Sequence, residues 1–507
     1  MLARVRSATL FGIEAATVFV EVDVTLGLPS FSTVGLPDSA VRESRDRVRA
    51  AIHNSRLEFP MERITVNLAP ADLRKEGTSF DLPMALGILC ATGVVKAGPL
   101  LERALVIGEL SLDATVRAVH GVLPIALHAR REGFNPLLVP VANAAEAAVV
   151  AGVDAVPIGS LHDAVEYLNG QRIIPPASGE HAAGSSTGGA DGLDFSDVRG
   201  HAHAKRGLEI AAAGGHNVLM IGPPGTGKTM LARRVASILP PLSLDEAIET
   251  STVWSVAGLL SAGQGLLSIR PFRSPHHTAS EAGVIGGGGI PRPGEISLAH
   301  HGVLFMDELP EFSPRVLEAL RQPLEDARVM VSRAAGSACF PARFQLVAAA
   351  NPCRRGCPSL AACTCSPAER TRYLARLSRP LLDRIDLHLE IPTLSYAQLS
   401  DAAVGEPSAT IRTRVVATRR VQAARFSGTA THVNARMSGR QTRRFCALHP
   451  DVARLLGLAV TRLGLSARAH DRLLRVARTI ADLAGAERIS PEHVAEAIQY
   501  RSLDRAH

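Results

Sequence analysis

The chain has 507 residues, too many for one hydrophobic core and enough for two to four domains. At 46% hydrophobic and 20% charged it has the make-up of ordinary globular material, and its net charge of +7 permits a polyanionic partner. Seven cysteines in such a length are no disulfide framework, and an odd count fits a reducing compartment.

In chain order, the first residues, Met1-Leu-Ala-Arg-Val-Arg-Ser, lack the apolar run of a signal peptide. The longest apolar stretches fall short of a membrane span or carry polar residues, so a cytoplasmic location is expected. Residues 1–172 mix an alternating strand pattern (Thr17–Val24) with helical stretches (Ser39–Asn54, Pro83–Gly93), an α+β or α/β arrangement. A Gly/Ser/Ala/Pro-rich stretch at 173–192 reads as a linker, because it has little apolar surface to bury. From 193 to 394 strand and helix patterns alternate, the mark of an α/β domain. From 395 to 507 the pattern is almost wholly helical, and Ser490-Pro-Glu-His opens the last helix with an N-cap and a proline at the first turn. The four lysines are Lys75, Lys96, Lys205 and Lys228, so nearly all positive charge is arginine, which a coding bias explains for the chain as a whole.

The strongest chemical signal is Gly222-Pro223-Pro224-Gly225-Thr226-Gly227-Lys228-Thr229. It satisfies the phosphate-loop pattern G-x-x-x-x-G-K-[ST], with an apolar strand before it and a helical pattern after it, which a chance glycine-rich turn would lack. Glycines let backbone N–H groups turn towards phosphate, Lys228 is placed for the β- and γ-phosphates and Thr229 for Mg²⁺, so ATP and Mg²⁺ are expected. Downstream, the apolar run 302–306 ends in Asp307-Glu308, an acid for the Mg²⁺ water shell and a second carboxylate for polarising water. The run Gln345–Ala350 ends in Asn351, either a water- or γ-phosphate-directed amide or a turn residue before Pro352. Arg384 follows, flanked by acids, and Arg468 lies in a helical pattern.

This order, from Gly222–Thr229 through Asp307-Glu308, Asn351 and Arg384 to Arg468, resembles the AAA+ ATPases with a helix-two insert. The blocks Arg270-Pro-Phe-Arg-Ser-Pro-His-His277, 293–312, Val34-Gly-Leu-Pro-Asp-Ser, 75–87 and 466–483 narrow the likeness to the magnesium-chelatase-like YifB/ComM family. It extends over essentially the whole chain outside the linker. The resemblance implies that Asp307 is the Mg²⁺-associated acid, Glu308 the catalytic base, Asn351 the first sensor, Arg384 an arginine finger reaching a neighbouring subunit, and Arg468 a second sensor on the helical lid. It further implies a homo-oligomeric ring, a hexamer, that acts on single-stranded or branched DNA by branch migration or remodelling of recombination intermediates. A chelatase-type motor subunit and an ATP-dependent protease are the alternatives. The helix-two insert falls at about 249–292, where Arg270, Arg273, His276 and His277 either touch nucleic acid or shape a structural hairpin.

Residues 1–172 resemble the proteolytic domain of Lon. Ser79 falls where Lon-like proteins carry their nucleophile, but the same register puts Leu123 where the catalytic lysine belongs, and no lysine lies between Lys96 and Lys205. A serine–lysine dyad needs that amine, so a structural or vestigial Ser79 is expected. Cys353, Cys357, Cys363 and Cys365, spaced C-x3-C-x5-C-x-C, suit a tetrahedral Zn²⁺ site or are four free thiols. The oxidation liability of clustered thiols favours zinc. The family usually begins this loop Cys-Pro-Cys-Gly, whereas here Arg354-Arg355 intervene. Between Gly405 and Phe445 lie Arg412, Arg414, Arg419, Arg420, Arg425, Arg436, Arg440, Arg443 and Arg444 with Glu406 as the one acid, a phosphate-facing surface or a solvated helical face near an acidic neighbour.

Overall fold

The computed structural model describes residues 2–179, 192–289, 291–333, 336–357, 363–395, 405–463 and 466–501. Most of the expected linker (180–191) lies outside the described residues. The chain forms two compact units, one of residues 1–185, 244–268 and 336–339, the other of 186–243, 269–335 and 340–507. Residues 244–268, whose part from 249 onward overlaps the stretch assigned to the helix-two insert, therefore cluster with the N-terminal unit.

The first unit is built on a seven-stranded mixed sheet in the order Ser30–Val34, Arg63–Ala69, Glu14–Thr25, Leu2–Phe11, Leu105–Val106, Leu137–Pro140, Ala155–Ile158. Leu2–Phe11 and Glu14–Thr25 pair antiparallel from Leu2↔Asp23 to Phe11↔Glu14. Their two-residue connection has Gly12 at φ +64°, a conformation that glycine takes without steric cost. Alternation along the strands makes two cores. Val5, Val20, Val106 and Leu138 face one cluster, and Ala8, Leu105, Leu137 and Val139 the other. The helix Asp81–Ala91, buried at all eleven positions, fills the first face. Asp81 is tolerated there because it accepts from Ser44 and from Arg47 Nε at 2.6 Å. The helices Val122–Glu132 and Leu244–Ala257 pack together on the second face, where Glu146 takes the Leu123 N–H at 2.9 Å and also the Ser255 hydroxyl.

The second unit carries a five-stranded parallel sheet in the order Phe272–Arg273, Val303–Met306, Gln345–Ala350, Val218–Ile221, Leu387–Glu390. The three central strands are buried at every position, as expected for a sheet covered on both faces. The C-terminal segment is helical: Ser408–Arg425, Gly439–Phe445, Pro450–Leu463, Ala467–Leu483 and Pro491–Gln499. These helices share one core with the sheet, in which Leu473, Val476 and Ile480 join Leu208, Val218 and Leu387. No helix among the described residues is long and apolar enough to cross a membrane.

Candidate active site

The strand Val218–Ile221 delivers the glycine loop and the helix Lys228–Ile238 leaves it. The loop demands its glycines. Gly225 and Gly227 have φ of +78° and +86°, and a Cβ on Gly222 would lie 2.2 Å from the carbonyl oxygen of Ile391. Lys228 Nζ donates to the carbonyls of Gly222 (2.6 Å) and Pro223 (2.8 Å) and to Asn351 Oδ1 (3.2 Å). Burial pulls its ammonium below the usual lysine value, against the upward pull of Asp307 and Glu308. An incoming phosphate would supply the anionic partner that these neutral acceptors replace.

Strand order explains the rest of the constellation. Gln345–Ala350 runs between the loop strand and Val303–Met306, all parallel, so Asn351 emerges between Lys228 and Asp307 at the same sheet edge. Thr229 Oγ1 donates to Asp307 Oδ2 at 2.7 Å. These hard oxygen donors fit Mg²⁺, which takes one or two carboxylates and keeps several waters. Glu308, at φ +50°, donates its backbone N–H to Asp307 Oδ1 (2.9 Å) and turns its side chain aside. Its Oε2 lies 3.2 Å from Nδ1 of His277.

Arg384 and Arg468 are elsewhere. The carbonyl of Arg384 accepts from Asn217 Nδ2 at 2.9 Å, which fixes it at the start of the loop strand. Gly222 is five residues further on, about 16 Å along a strand rising ~3.3 Å per residue. Both arginines line one cleft of about 330 Å³ with Arg436, Arg472, Arg475 and Glu325, and no residue of the glycine loop borders it. Glu325 pairs with Arg384. Among the described residues Arg384 Nε and Arg472 Nη1 are buried without a hydrogen-bond partner, and Arg472 Nη1 lies 3.7 Å from Asp386 Oδ1. Burial lowers the Arg436 and Arg472 guanidiniums from their usual value. Glu325, Asp386 and Asp471 share the cleft with these five arginines, which leaves its lining net positive, and no residue of the loop belongs to it.

Several arginines read as nucleic-acid contacts have structural partners. Arg270 donates to the carbonyls of Pro240 (2.6 Å) and His301 (2.7 Å), and Arg273 grips Glu295 through two bonds of 2.6 Å. In the 405–445 segment Arg414 pairs with Glu209 and Glu406, Arg425 with Asp482, and Arg419 donates to the Ala212 carbonyl. Arg412, Arg420, Arg440, Arg443 and Arg444 are exposed. In the N-terminal unit Leu123 is fully buried, and Lys75, also buried, donates to the Pro70 carbonyl. The four sulfurs of Cys353, Cys357, Cys363 and Cys365 lie within 4.8 Å of one another.

Sequence reasoning missed His277 as a neighbour of Glu308, Glu325 as the partner of Arg384, and the companions Arg436, Arg472 and Arg475. The Pro-His-His block was the one available signal for His277.

Three family models match the chain: magnesium chelatase, subunit ChlI, over residues 194–399; subunit ChlI of Mg-chelatase over 20–143; and the ChlI C-terminal model over 405–501. The chain is 46% identical over 506 residues to an uncharacterized protein YifB of Salmonella typhimurium, covering 99% of this chain and 98% of the relative. It is 46% identical over 513 residues to competence protein ComM of Haemophilus influenzae, again covering 99% and 98%. Lon protease 2 of Bacillus subtilis is 31% identical over 149 residues, 28% of this chain and 26% of the relative.

Proposed function

Because the chain belongs to the YifB/ComM family of magnesium-chelatase-like AAA+ ATPases, we propose that it is an ATP-hydrolysing ring motor that remodels branched or single-stranded DNA. The observation that carries the oligomeric part is the division of the site. Lys228, Thr229, Asp307, Glu308 and Asn351 gather at one edge of the parallel sheet, and Arg384 and Arg468 gather at the other. One subunit alone holds an incomplete site, and a head-to-tail contact between copies supplies the missing cations. A closed ring, a hexamer by family resemblance, completes every such site.

In the proposed mechanism the loop amides and Lys228 hold the phosphates, and Thr229 and Asp307 would hold Mg²⁺, whose charge would offset that of the phosphate oxygens. Glu308 rotates from His277 to accept a proton from the attacking water, and Asn351 orients that water. Arg384 and Arg468 of the adjoining subunit stabilise charge developing on the γ-phosphate.

DNA as the substrate rests on the family resemblance, on the name of one relative as a competence protein, and on the five exposed arginines of the 405–445 segment. A chelatase-type motor working through a protein partner is the second reading, favoured by the description of the family models. A protease is disfavoured by the buried Leu123 at the position of the base. ATP turnover with and without branched DNA, at low and high salt, separates them. Stimulation that fades with salt supports the DNA motor, because phosphate contacts release counterions. A rate indifferent to DNA refutes it.

A further inference from the structure

The four clustered cysteines are left unused by this mechanism. They are not core residues that happen to meet. Cys353, Cys357 and Cys365 are at most 9% exposed, yet among the described residues the one partly buried hydrophobic packed against their cluster is Cys363. Sulfur is packed on sulfur. The separations are 3.6 Å for Cys353–Cys365 and 4.0 Å for Cys357–Cys365, far beyond a disulfide bond of about 2.05 Å. Tetrahedral zinc with Zn–S bonds of about 2.3 Å requires sulfurs about 3.8 Å apart. Backbone N–H groups also point at the sulfurs. The Cys357 N–H donates to Cys353 Sγ at 3.3 Å, and the backbone amides of Thr364 and Cys365 hydrogen-bond Cys357 and Cys363. N–H groups aimed at ligand sulfurs are the outer shell that metal thiolates use.

The position of the cluster gives it a consequence. Cys353 follows Asn351 by two residues. Gly356, at φ +68°, presses on Pro224 of the glycine loop, where an added Cβ would lie 2.8 Å from Pro224 Cδ. After Cys365, Ser366 takes the N–H of Glu369 at the start of the helix Pro367–Leu374. Tyr373 of that helix is buried and its hydroxyl is bonded to the backbone of Asn351. The cysteines thus close the chain between Asn351 and the helix that returns to it, and they do so against the phosphate loop.

We propose that Cys353, Cys357, Cys363 and Cys365 hold one structural Zn²⁺, and that this ion fixes Asn351 and Pro224 in the arrangement needed for ATP turnover. On binding, zinc replaces the thiol protons, which pass to solvent. The second half rests on the ATPase reading, whereas the first does not.

The test uses the untagged full-length chain, with zinc measured by elemental analysis and by chromogenic chelator after mercurial release. About one zinc per chain is expected, and cobalt exchanged into the site should give the visible bands of a tetrahedral tetrathiolate. Cys363→Ser should lose zinc at least tenfold, and Cys339→Ser, which alters an exposed cysteine outside the cluster, should keep it. Should Cys363→Ser fail to fold, the cobalt spectrum of the wild-type chain still decides. Stripping zinc should lower ATP turnover about tenfold or more, and adding it back should restore the rate. Less than about a tenth of a zinc per chain, iron in its place, or cysteine disulfides would overturn the site. Zinc loss with unchanged turnover would overturn the coupling. Zinc present in a chain that never hydrolyses ATP would count against the motor and leave the site standing.

Discussion

Mixing experiments with point variants test the division of the ATP site between subunits. Arg384→Ala should lower turnover by about 10³-fold or more, the range for an arginine supplied in trans. In a 1:1 random mixture with Lys228→Ala, an interface works only if the loop comes from the arginine variant and the finger from the lysine variant. That happens at about one quarter of interfaces in a head-to-tail ring, so up to about a quarter of the wild-type rate should return. The sharper comparison pairs Arg384→Ala with Arg468→Ala. Both side chains line the same cleft, which no residue of their own subunit's loop borders. Each mixed interface would then lack one of them, and no rate should return at any ratio. If Arg468 served its own subunit's phosphate, the same mixture would recover about a quarter. The assay is steady-state phosphate release after subunit exchange, with ring assembly checked by light scattering. Recovery between the two arginine variants would refute the assignment of Arg468, and no recovery with Lys228→Ala would refute a finger in trans.

Glu308→Gln should bind ATP as the wild type does yet turn over about 10² to 10⁴ times more slowly, measured by fluorescent-nucleotide binding beside phosphate release. Normal turnover would remove Glu308 from the role of base. His277→Ala should raise turnover without DNA, since His277 holds Glu308 aside. The pair is half exposed and worth at most about 1 kcal/mol, so the increase should not exceed about fivefold. A lower rate would show that His277 assists rather than restrains. Burial would raise the Asp386 carboxyl, but the His216 hydrogen bond and the Arg472 charge prevail and hold it at about 2. A depressed carboxylate stabilises the fold above its unfolded value near 4, and this contribution, on the order of 2 kcal/mol, fades as pH falls from about 4 to about 2. Urea midpoints should therefore drop less over that interval in Asp386→Asn than in the wild type.

The phosphate loop was legible because its chemistry needs contiguous residues, and the strand ends at Asp307 and Asn351 because each closes an apolar run. The arginine cleft was not. Its members come from positions 325, 384, 436 and 468–475, which the fold alone brings together. The arginine run of 405–445 was legible only in part for a related reason. The carboxylates that engage Arg414 and Arg425 include Glu209 and Asp482, outside the segment whose charge was counted. The helix Leu244–Ala257 lies within the ATPase segment in sequence, yet it packs on Val122–Glu132 of the N-terminal unit. Nothing in its apolar spacing names the surface it covers.

The measurement closest to the central claim is ATP-dependent strand exchange on a labelled four-way DNA junction, comparing the wild type with Glu308→Gln at equal DNA occupancy. The wild type should move the junction's strands in a reaction that depends on ATP hydrolysis, and the variant should not, although both bind. Wild-type protein that binds the junction, hydrolyses ATP and leaves the strands unmoved would contradict it.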